Sequence, residues 1–111
     1  MALSPKQQRF AYLLGVLLVW IHSHKVWAVT FGEAHRPRRM VRYYVKVGLG
    51  SRFSLHPKRL AVDLNLFING KYQASTKAHE PIGKFWESLD PKCRWGGRFK
   101  RKDGNHYECA E

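Results

Sequence analysis

The chain has 111 residues, of which 44% are hydrophobic, so we expect residues 1–111 to form a single domain with its own core. These values exclude a disordered tail and a multidomain assembly. The formal net charge of +12 favours a polyanionic partner, which could be nucleic acid, an anionic membrane or a cell-wall polymer. The two cysteines, Cys93 and Cys109, are too few for a disulfide framework, and one bridge and two free thiols are equally compatible with the sequence.

The N-terminal part contains an unbroken apolar run at residues 10–21. A helix that spans a bilayer needs about 20 such residues, so this run is too short for an ordinary transmembrane segment. Lys6 and Arg9 precede it, as in a secretory signal, but residues 22–25 do not form a small-residue cleavage site. We therefore assign no export signal.

The same run is typical of a core helix. Ser4 is a candidate N-cap, Pro5 suits the first helical position, and Gln7 completes a capping box. Apolar residues then recur at helical spacing, namely Phe10, Leu13, Leu14, Leu17, Leu18 and Ile21. The opposite face is apolar too, through Tyr12, Val16, Val19 and Trp20, which predicts a helix that is buried all round.

Further elements follow along the chain. The patterns predict strands at residues 26–31, 60–68 and 106–108, and helices at residues 37–47 and 81–89. An Asn69–Gly70 turn ends the second strand, Pro81 begins the last helix, and residues 71–78 fit neither element. Helices packed on a small antiparallel sheet, the α+β class, are the expected architecture.

A few histidines and carboxylates are candidates for chemistry. His56 lies seven residues before Asp63, and Asp103 lies three residues before His106. Two imidazoles and a carboxylate suit zinc, and a further carboxylate can act as a general base. By spacing alone, a surface histidine near a strand-end aspartate is the better explanation of the pattern, and zinc is the alternative. Glu108 is either a support for a ligand histidine or a simple strand residue.

Four segments resemble the zinc D-Ala-D-Ala carboxypeptidase and L-alanyl-D-glutamate endopeptidase family. Residues 54–63 resemble its S-x-H-x-x-G-x-A-x-D signature, and residues 103–106 resemble its second element, with an acidic residue three before the last metal histidine. Residues 32–37 resemble the stretch that supplies a substrate-binding arginine, and residues 95–99 are similar to small single-domain phage endolysins. The resemblance implies the zinc peptidase fold shared with Hedgehog proteins.

Site residues follow from this resemblance position by position. It implies one Zn²⁺ per chain, with three ligands: His56, Asp63 and His106. Asp103 would be the catalytic base, Arg36 would bind the substrate carboxylate or polarise the scissile carbonyl, and Ser54 would touch substrate. Two positions depart from the family pattern, because Arg59 replaces a frequent glycine and Met40 replaces a frequent glutamine.

The implied function is a zinc-dependent peptidoglycan peptidase, a phage endolysin that cleaves the L-Ala–D-Glu bond of stem peptides. The alternative within the family is a D-Ala-D-Ala carboxypeptidase or dipeptidase. We expect a monomer that resides in the host bacterial cytoplasm before lysis and acts on periplasmic peptidoglycan, drawn by its charge to anionic cell-wall or outer-membrane surfaces.

A different class of function is a small basic protein that binds nucleic acid. Basic residues cluster at residues 36–46 and 98–102. The sequence contains no recognisable binding module and no aromatic residues interleaved as in an RNA-binding sheet. We therefore expect no nucleic-acid partner.

Overall fold

The computed structural model describes residues 3–32 and 58–111. Several predictions concern residues outside these ranges. They are the helix at residues 37–47, the site residues Arg36, Ser54 and His56, and the departure from the family pattern at Met40. These remain predictions from the sequence.

Helix α1, Leu3–His22, is the predicted core helix, and it buries Phe10, Leu13, Leu17 and Ile21. Two details of the prediction were wrong. Because the helix begins at Leu3, Ser4 lies inside its first turn and accepts a hydrogen bond from Gln8 Nε2 at 3.2 Å. Tyr12 and Val19 are 62% and 73% exposed, because α1 packs against the rest of the protein with one face only. Neither helix of the described residues combines the length and hydropathy that crossing a bilayer requires.

Strands β1, Trp27–Phe31, and β2, Ala61–Ile68, confirm the first two predicted strands. A two-residue turn follows β2, in which Asn69 and Gly70 have φ of 53° and 75°. Positive φ at both positions is the geometry that Asn-Gly adopts in hairpins. The turn leads into β3, Lys71–Gln73, which pairs with the end of β2. Part of the ambiguous polar segment is therefore the second strand of a hairpin.

Helix α2, Thr76–Leu89, begins earlier than predicted. The sequence pattern predicts Pro81 as its first residue. Instead, Ser75 is the N-cap, and its Oγ accepts a hydrogen bond from the Ala78 amide at 3.1 Å. This side-chain cap satisfies an amide that the helix itself leaves without a partner, so the helix begins at Thr76.

Two short strands complete the sheet. Strand β4, Cys93–Trp95, was not predicted, and β5, His106–Cys109, confirms the predicted last strand. The strand order is β1-β2-β5-β4, with all pairs antiparallel and β3 also paired to β2. A 3₁₀ turn at Gly96–Arg98 follows β4. Helices on an antiparallel sheet are the α+β architecture that the sequence predicts.

The sheet has one face toward the helices and one face that carries polar side chains. Val62, Leu64 and Tyr107 are fully buried in the core with residues of α1 and α2. Side chains alternate between the faces of a strand, so the residues between them point to the opposite face. That face holds Asp63 on β2 and His106 on β5.

Candidate metal and catalytic site

Asp63 and His106 lie directly opposite each other on β2 and β5. Opposite residues of an antiparallel pair share a face and bring their side chains close together. Asp63 Oδ1 is 3.1 Å from His106 Nδ1, and both side chains are largely buried, at 16% and 8% exposure. The register of the two strands therefore brings together two residues that are far apart in the sequence.

Asp103 joins this pair from the turn that precedes β5. The His106 amide donates to the Asp103 carbonyl at 3.1 Å, which closes the turn. Asp103 Oδ2 lies 4.0 Å from His106 Nδ1, and the carboxylate is 54% exposed. One ligand atom from each of Asp63, Asp103 and His106 lies within 4.8 Å of the others. The structure thus assembles three of the residues that the sequence singles out.

Glu108 lies beside Nε2, the other ring nitrogen of His106. His106 Nε2 is 2.6 Å from Glu108 Oε1, and both side chains are more than nine-tenths buried. Arg94, opposite Glu108 on β4, forms an ion pair with its Oε2. Burial raises the pKa of Glu108, but His106 and Arg94 outweigh this effect and hold the pKa below its usual value. Glu108 is therefore a charged acceptor that fixes the ring of His106, and Nδ1 is left facing Asp63.

The carboxylates of Asp63 and Glu108 favour the charged form of His106. Burial lowers its pKa, but the hydrogen bonds with Asp63 and Glu108 and the charges of both raise the pKa to about 9. The site is therefore strongly attractive to positive charge at Nδ1. A cation bound there would replace the proton.

The turn that carries Asp103 is held by a tryptophan and a glycine. Trp95 Nε1 donates to the Gly104 carbonyl at 2.7 Å, and the Asp103 amide donates to the Gly96 carbonyl at 2.9 Å. A Cβ on Gly96 would overlap the Asp103 carbonyl oxygen and lie 2.8 Å from His106 Cβ. Only glycine fits at this position. The likeness of residues 95–99 to small phage endolysins does not predict this supporting contact, which arises from tertiary packing.

The Trp95 indole is itself enclosed by two glycines. A Cβ on Gly83 of α2, or on Gly97, would overlap the indole ring. Trp95 is only 3% exposed, so its orientation is fixed by packing. Because Trp95 donates a hydrogen bond to the Gly104 carbonyl, its fixed orientation also positions the turn that bears Asp103.

The donor set fits zinc. An imidazole nitrogen and carboxylate oxygens within a few ångströms are ligands that zinc accepts. The second imidazole of the implied set, His56, lies outside the described residues, as do Arg36 and Ser54. The described residues therefore supply Asp63 and His106 as candidate ligands, with Asp103 beside them.

Arg59, which replaces a frequent glycine of the family, has φ of 57°. This is the left-handed region, which glycine adopts without the steric cost that a Cβ brings. Arg59 directly precedes Leu60 and Ala61, which are buried where β2 begins. The chain thus adopts this left-handed conformation before β2 without a glycine.

Comparisons with known proteins identify the fold and the family of this chain. The crystal structure of the L-Ala D-Glu endopeptidase ChiX of Serratia marcescens superposes with a TM-score of 0.76, covering 93% of this chain and 79% of that chain at 20% sequence identity. This match establishes the predicted peptidase-like fold. No curated protein matches the sequence significantly. The family defined as D-alanyl-D-alanine carboxypeptidase matches residues 47–109, which is more than half of the chain. The chain therefore belongs to the D-alanyl-D-alanine carboxypeptidase family of peptidases.

Proposed function

We propose that the protein is a zinc-dependent peptidoglycan peptidase that cleaves the L-Ala–D-Glu bond of stem peptides. The observation that carries the proposal is the cluster of Asp63, Asp103 and His106, whose ligand atoms lie within 4.8 Å of one another, in a chain of this peptidase family. The structural likeness to an L-Ala D-Glu endopeptidase supports the choice of bond.

Each residue of the cluster has a distinct proposed task. Asp63 and His106, which are held rigidly by the paired strands, bind zinc together with His56. Zinc, when bound, supplies the Lewis acidity that makes water a nucleophile at neutral pH and polarises a carbonyl. Glu108 keeps His106 Nδ1 directed toward Asp63.

Asp103 is the proposed general base. Its carboxylate is beside His106 Nδ1 but is more than half exposed, so it can reach both the water and the substrate. Asp103 would accept the proton of the attacking water and return it to the amine that leaves, which is the usual course of general acid–base catalysis. Arg36 and Ser54 would bind the substrate, as the family resemblance implies.

Analysis of products from purified peptidoglycan tests the choice of bond. The zinc-loaded protein is incubated with sacculi, and the released fragments are identified by mass spectrometry and by labelling of new amino termini. We expect new amino termini on D-Glu. Release of free D-Ala alone would instead identify a D-Ala-D-Ala carboxypeptidase, and hydrolysis of the free D-Ala-D-Ala dipeptide to two D-Ala molecules would identify a dipeptidase.

The high positive charge has a proposed use at the wall. Residues 100–102, Lys-Arg-Lys, are exposed and directly precede Asp103, so they form a basic run beside the proposed site. We propose that this charge concentrates the protein on anionic wall and outer-membrane groups. Raising salt from 0.1 M to 1 M shortens the Debye length from about 10 Å to about 3 Å and should weaken binding to sacculi. Cleavage of a short soluble stem peptide should change much less, and equal salt sensitivity would contradict the proposal.

The biological setting that we propose is lysis of a bacterial host by a phage. The protein would collect in the cytoplasm and reach the wall only after the inner membrane is breached. Expression of the chain in bacterial cells, followed by permeabilisation of that membrane, should cause lysis, whereas the His106→Ala variant should not. Lysis that begins before permeabilisation would contradict a cytoplasmic store.

A further inference from the structure

Cys93 and Cys109 form a pair that the proposed chemistry does not use. We propose that they are a redox site, at which a cross-strand disulfide forms and ties β4 to β5. This inference does not depend on the proposed function, because it rests on the geometry of the two strands.

The two cysteines are directly opposite each other in the antiparallel ladder. Their Sγ atoms are 3.9 Å apart. Both side chains are buried in the core, at 5% and 6% exposure, so they are held facing each other by the packing around them. The S–S bond of a disulfide is about 2.05 Å long, so the two sulfurs must move closer together by about 2 Å before they can bond.

The position in the ladder favours such a bond. Opposite pairs of antiparallel strands alternate between hydrogen-bonded and non-hydrogen-bonded positions. The adjacent pair, Lys92 and Ala110, carries the backbone hydrogen bond, because the Ala110 amide donates to the Lys92 carbonyl at 2.8 Å. Cys93 and Cys109 are therefore a non-hydrogen-bonded pair, at which Cα atoms are about 4.5 Å apart and side chains are closest. This separation lies within the range of about 4.4–6.8 Å that disulfides require.

The strands themselves need not move. On the core side, Trp86 Nε1 donates to the Arg94 carbonyl at 3.2 Å and to the Glu108 carbonyl at 3.1 Å. These residues adjoin the cysteines in the two strands. One indole thus holds β4 and β5 together beside the cysteine pair, and rotation about the cysteine side chains is the main change needed.

The reaction balances with a disulfide as the oxidant, either a small-molecule disulfide such as oxidised glutathione or a protein disulfide. One of the two cysteine sulfurs attacks a sulfur of the oxidant and releases the first thiol. The other cysteine sulfur then attacks the protein sulfur of this mixed disulfide and releases the second thiol. Two protons and two electrons pass from the cysteines to the oxidant, which becomes two thiols.

The hydrogen bond between the two thiols shifts their pKa values in opposite directions. The hydrogen bond with Cys109 and burial raise the pKa of the Cys93 thiol. The hydrogen bond from Cys93 lowers the pKa of Cys109. Cys93 and Cys109 are about equally buried, at 5% and 6% exposure, so access does not distinguish the two sulfurs.

The bond would stabilise the part of the sheet that supports His106. Arg94 and Glu108 lie beside the cysteines on the same strands and form the ion pair behind the imidazole. The cysteines are 16 residues apart, and closing such a loop raises stability by restricting the unfolded chain. We expect a rise in Tm of about 10 °C on oxidation.

The experiment uses the folded chain. The protein is incubated with oxidised glutathione or with dithiothreitol, free thiols are blocked with an alkylating reagent, and intact mass and Tm are measured. We expect the oxidised monomer to have no thiol that the reagent can alkylate and a mass lower by that of two hydrogen atoms. Its Tm should be higher, and dithiothreitol should return the Tm to the value of the reduced protein. The Cys93→Ala/Cys109→Ala double variant should have one Tm under both conditions.

Three results would overturn the proposal. They are two thiols that stay free in the folded protein after long oxidation, disulfides formed only between chains, or an internal disulfide that appears only when the protein is first unfolded in urea. An internal bond that lowers Tm would also contradict the stabilisation of β4 against β5. None of these measurements uses peptidase activity, so failure here is distinguishable from failure of the proposed function.

Discussion

Glu108 accepts a hydrogen bond from His106 Nε2 at 2.6 Å, from two residues along the same strand. Residues at this spacing lie on one face of a strand, so the backbone of β5 alone sets the two side chains side by side. The result is that one nitrogen of the imidazole is occupied by a buried carboxylate and the other is directed at Asp63. A carboxylate behind a metal-binding histidine fixes the ring and increases its basicity.

We predict that Glu108→Gln lowers zinc affinity by about 10- to 100-fold, because the ring of His106 loses its charged partner. Competition with a chelator of known affinity measures the change. The control is Glu87→Gln, which removes a carboxylate that pairs with Arg98 at the surface. Equal zinc affinity in the Glu108 variant and the wild type would show that this hydrogen bond is not needed for binding.

Asp103 and Asp63 should respond differently to the same change. As a general base, Asp103 matters for turnover and little for zinc affinity, so Asp103→Asn should retain zinc and lose about 10²-fold or more in kcat. Asp63→Asn weakens a proposed ligand and should lose zinc as well. Zinc per chain and turnover are measured on one peptidoglycan preparation. If the Asp103 variant loses zinc and the Asp63 variant retains it, Asp103 is the ligand and Asp63 is the base. If the Asp103 variant is active with zinc bound, a different residue is the base.

Gly96 is predicted to tolerate no side chain. A Cβ there meets the Asp103 carbonyl and His106 Cβ, so Gly96→Ala must displace the turn that bears Asp103. We expect a loss of about 1–3 kcal/mol in the free energy of unfolding, the usual cost of overpacking, together with lower turnover. Gly15→Ala is the matched control, because its Cβ meets nothing within 4 Å in α1 and alanine favours helix by about 1 kcal/mol. Urea unfolding of both variants checks the contrast, and an unchanged Gly96→Ala protein would contradict it.

Replacement of Arg59 by the glycine that the family frequently has at this position should stabilise the folded protein. Its φ of 57° is unfavourable for any residue with a Cβ, so Arg59→Gly should raise the free energy of unfolding by up to about 1 kcal/mol. Arg59→Ala removes the same charge but keeps the Cβ, and it should give no such gain. If the alanine variant is stabilised as much as the glycine variant, the effect comes from the charge and not from the backbone.

The sequence predicted those parts of the fold that depend on local patterns. The apolar spacing of α1, the alternation of β2 and the Asn69–Gly70 turn each identified its element. Strand β4 was missed because three residues carry too short a pattern, and its pairing with β5 is a tertiary contact. The exposure of Val19 could not be predicted either, since it depends on which side of α1 the sheet covers.

The candidate site shows the same division. Asp63, Asp103 and His106 were identified from their spacing and from the family resemblance, and the register of β2 and β5 explains why they meet. The ion pair of Arg94 with Glu108 was not predicted, because it arises from the opposition of two strands. The contact of Gly96 with the turn that bears Asp103 was not predicted either, because it arises from tertiary packing.

Zinc content and peptidoglycan hydrolysis measured together in His106→Ala test the central claim most directly. His22→Ala, which changes an exposed histidine at the end of α1, is the matched control. We predict about one zinc per chain and release of stem-peptide fragments for the wild type and the control, and neither for His106→Ala; His56→Ala should behave in the same way as His106→Ala. Full zinc occupancy in His106→Ala, or undiminished hydrolysis by a zinc-free protein, would contradict the account.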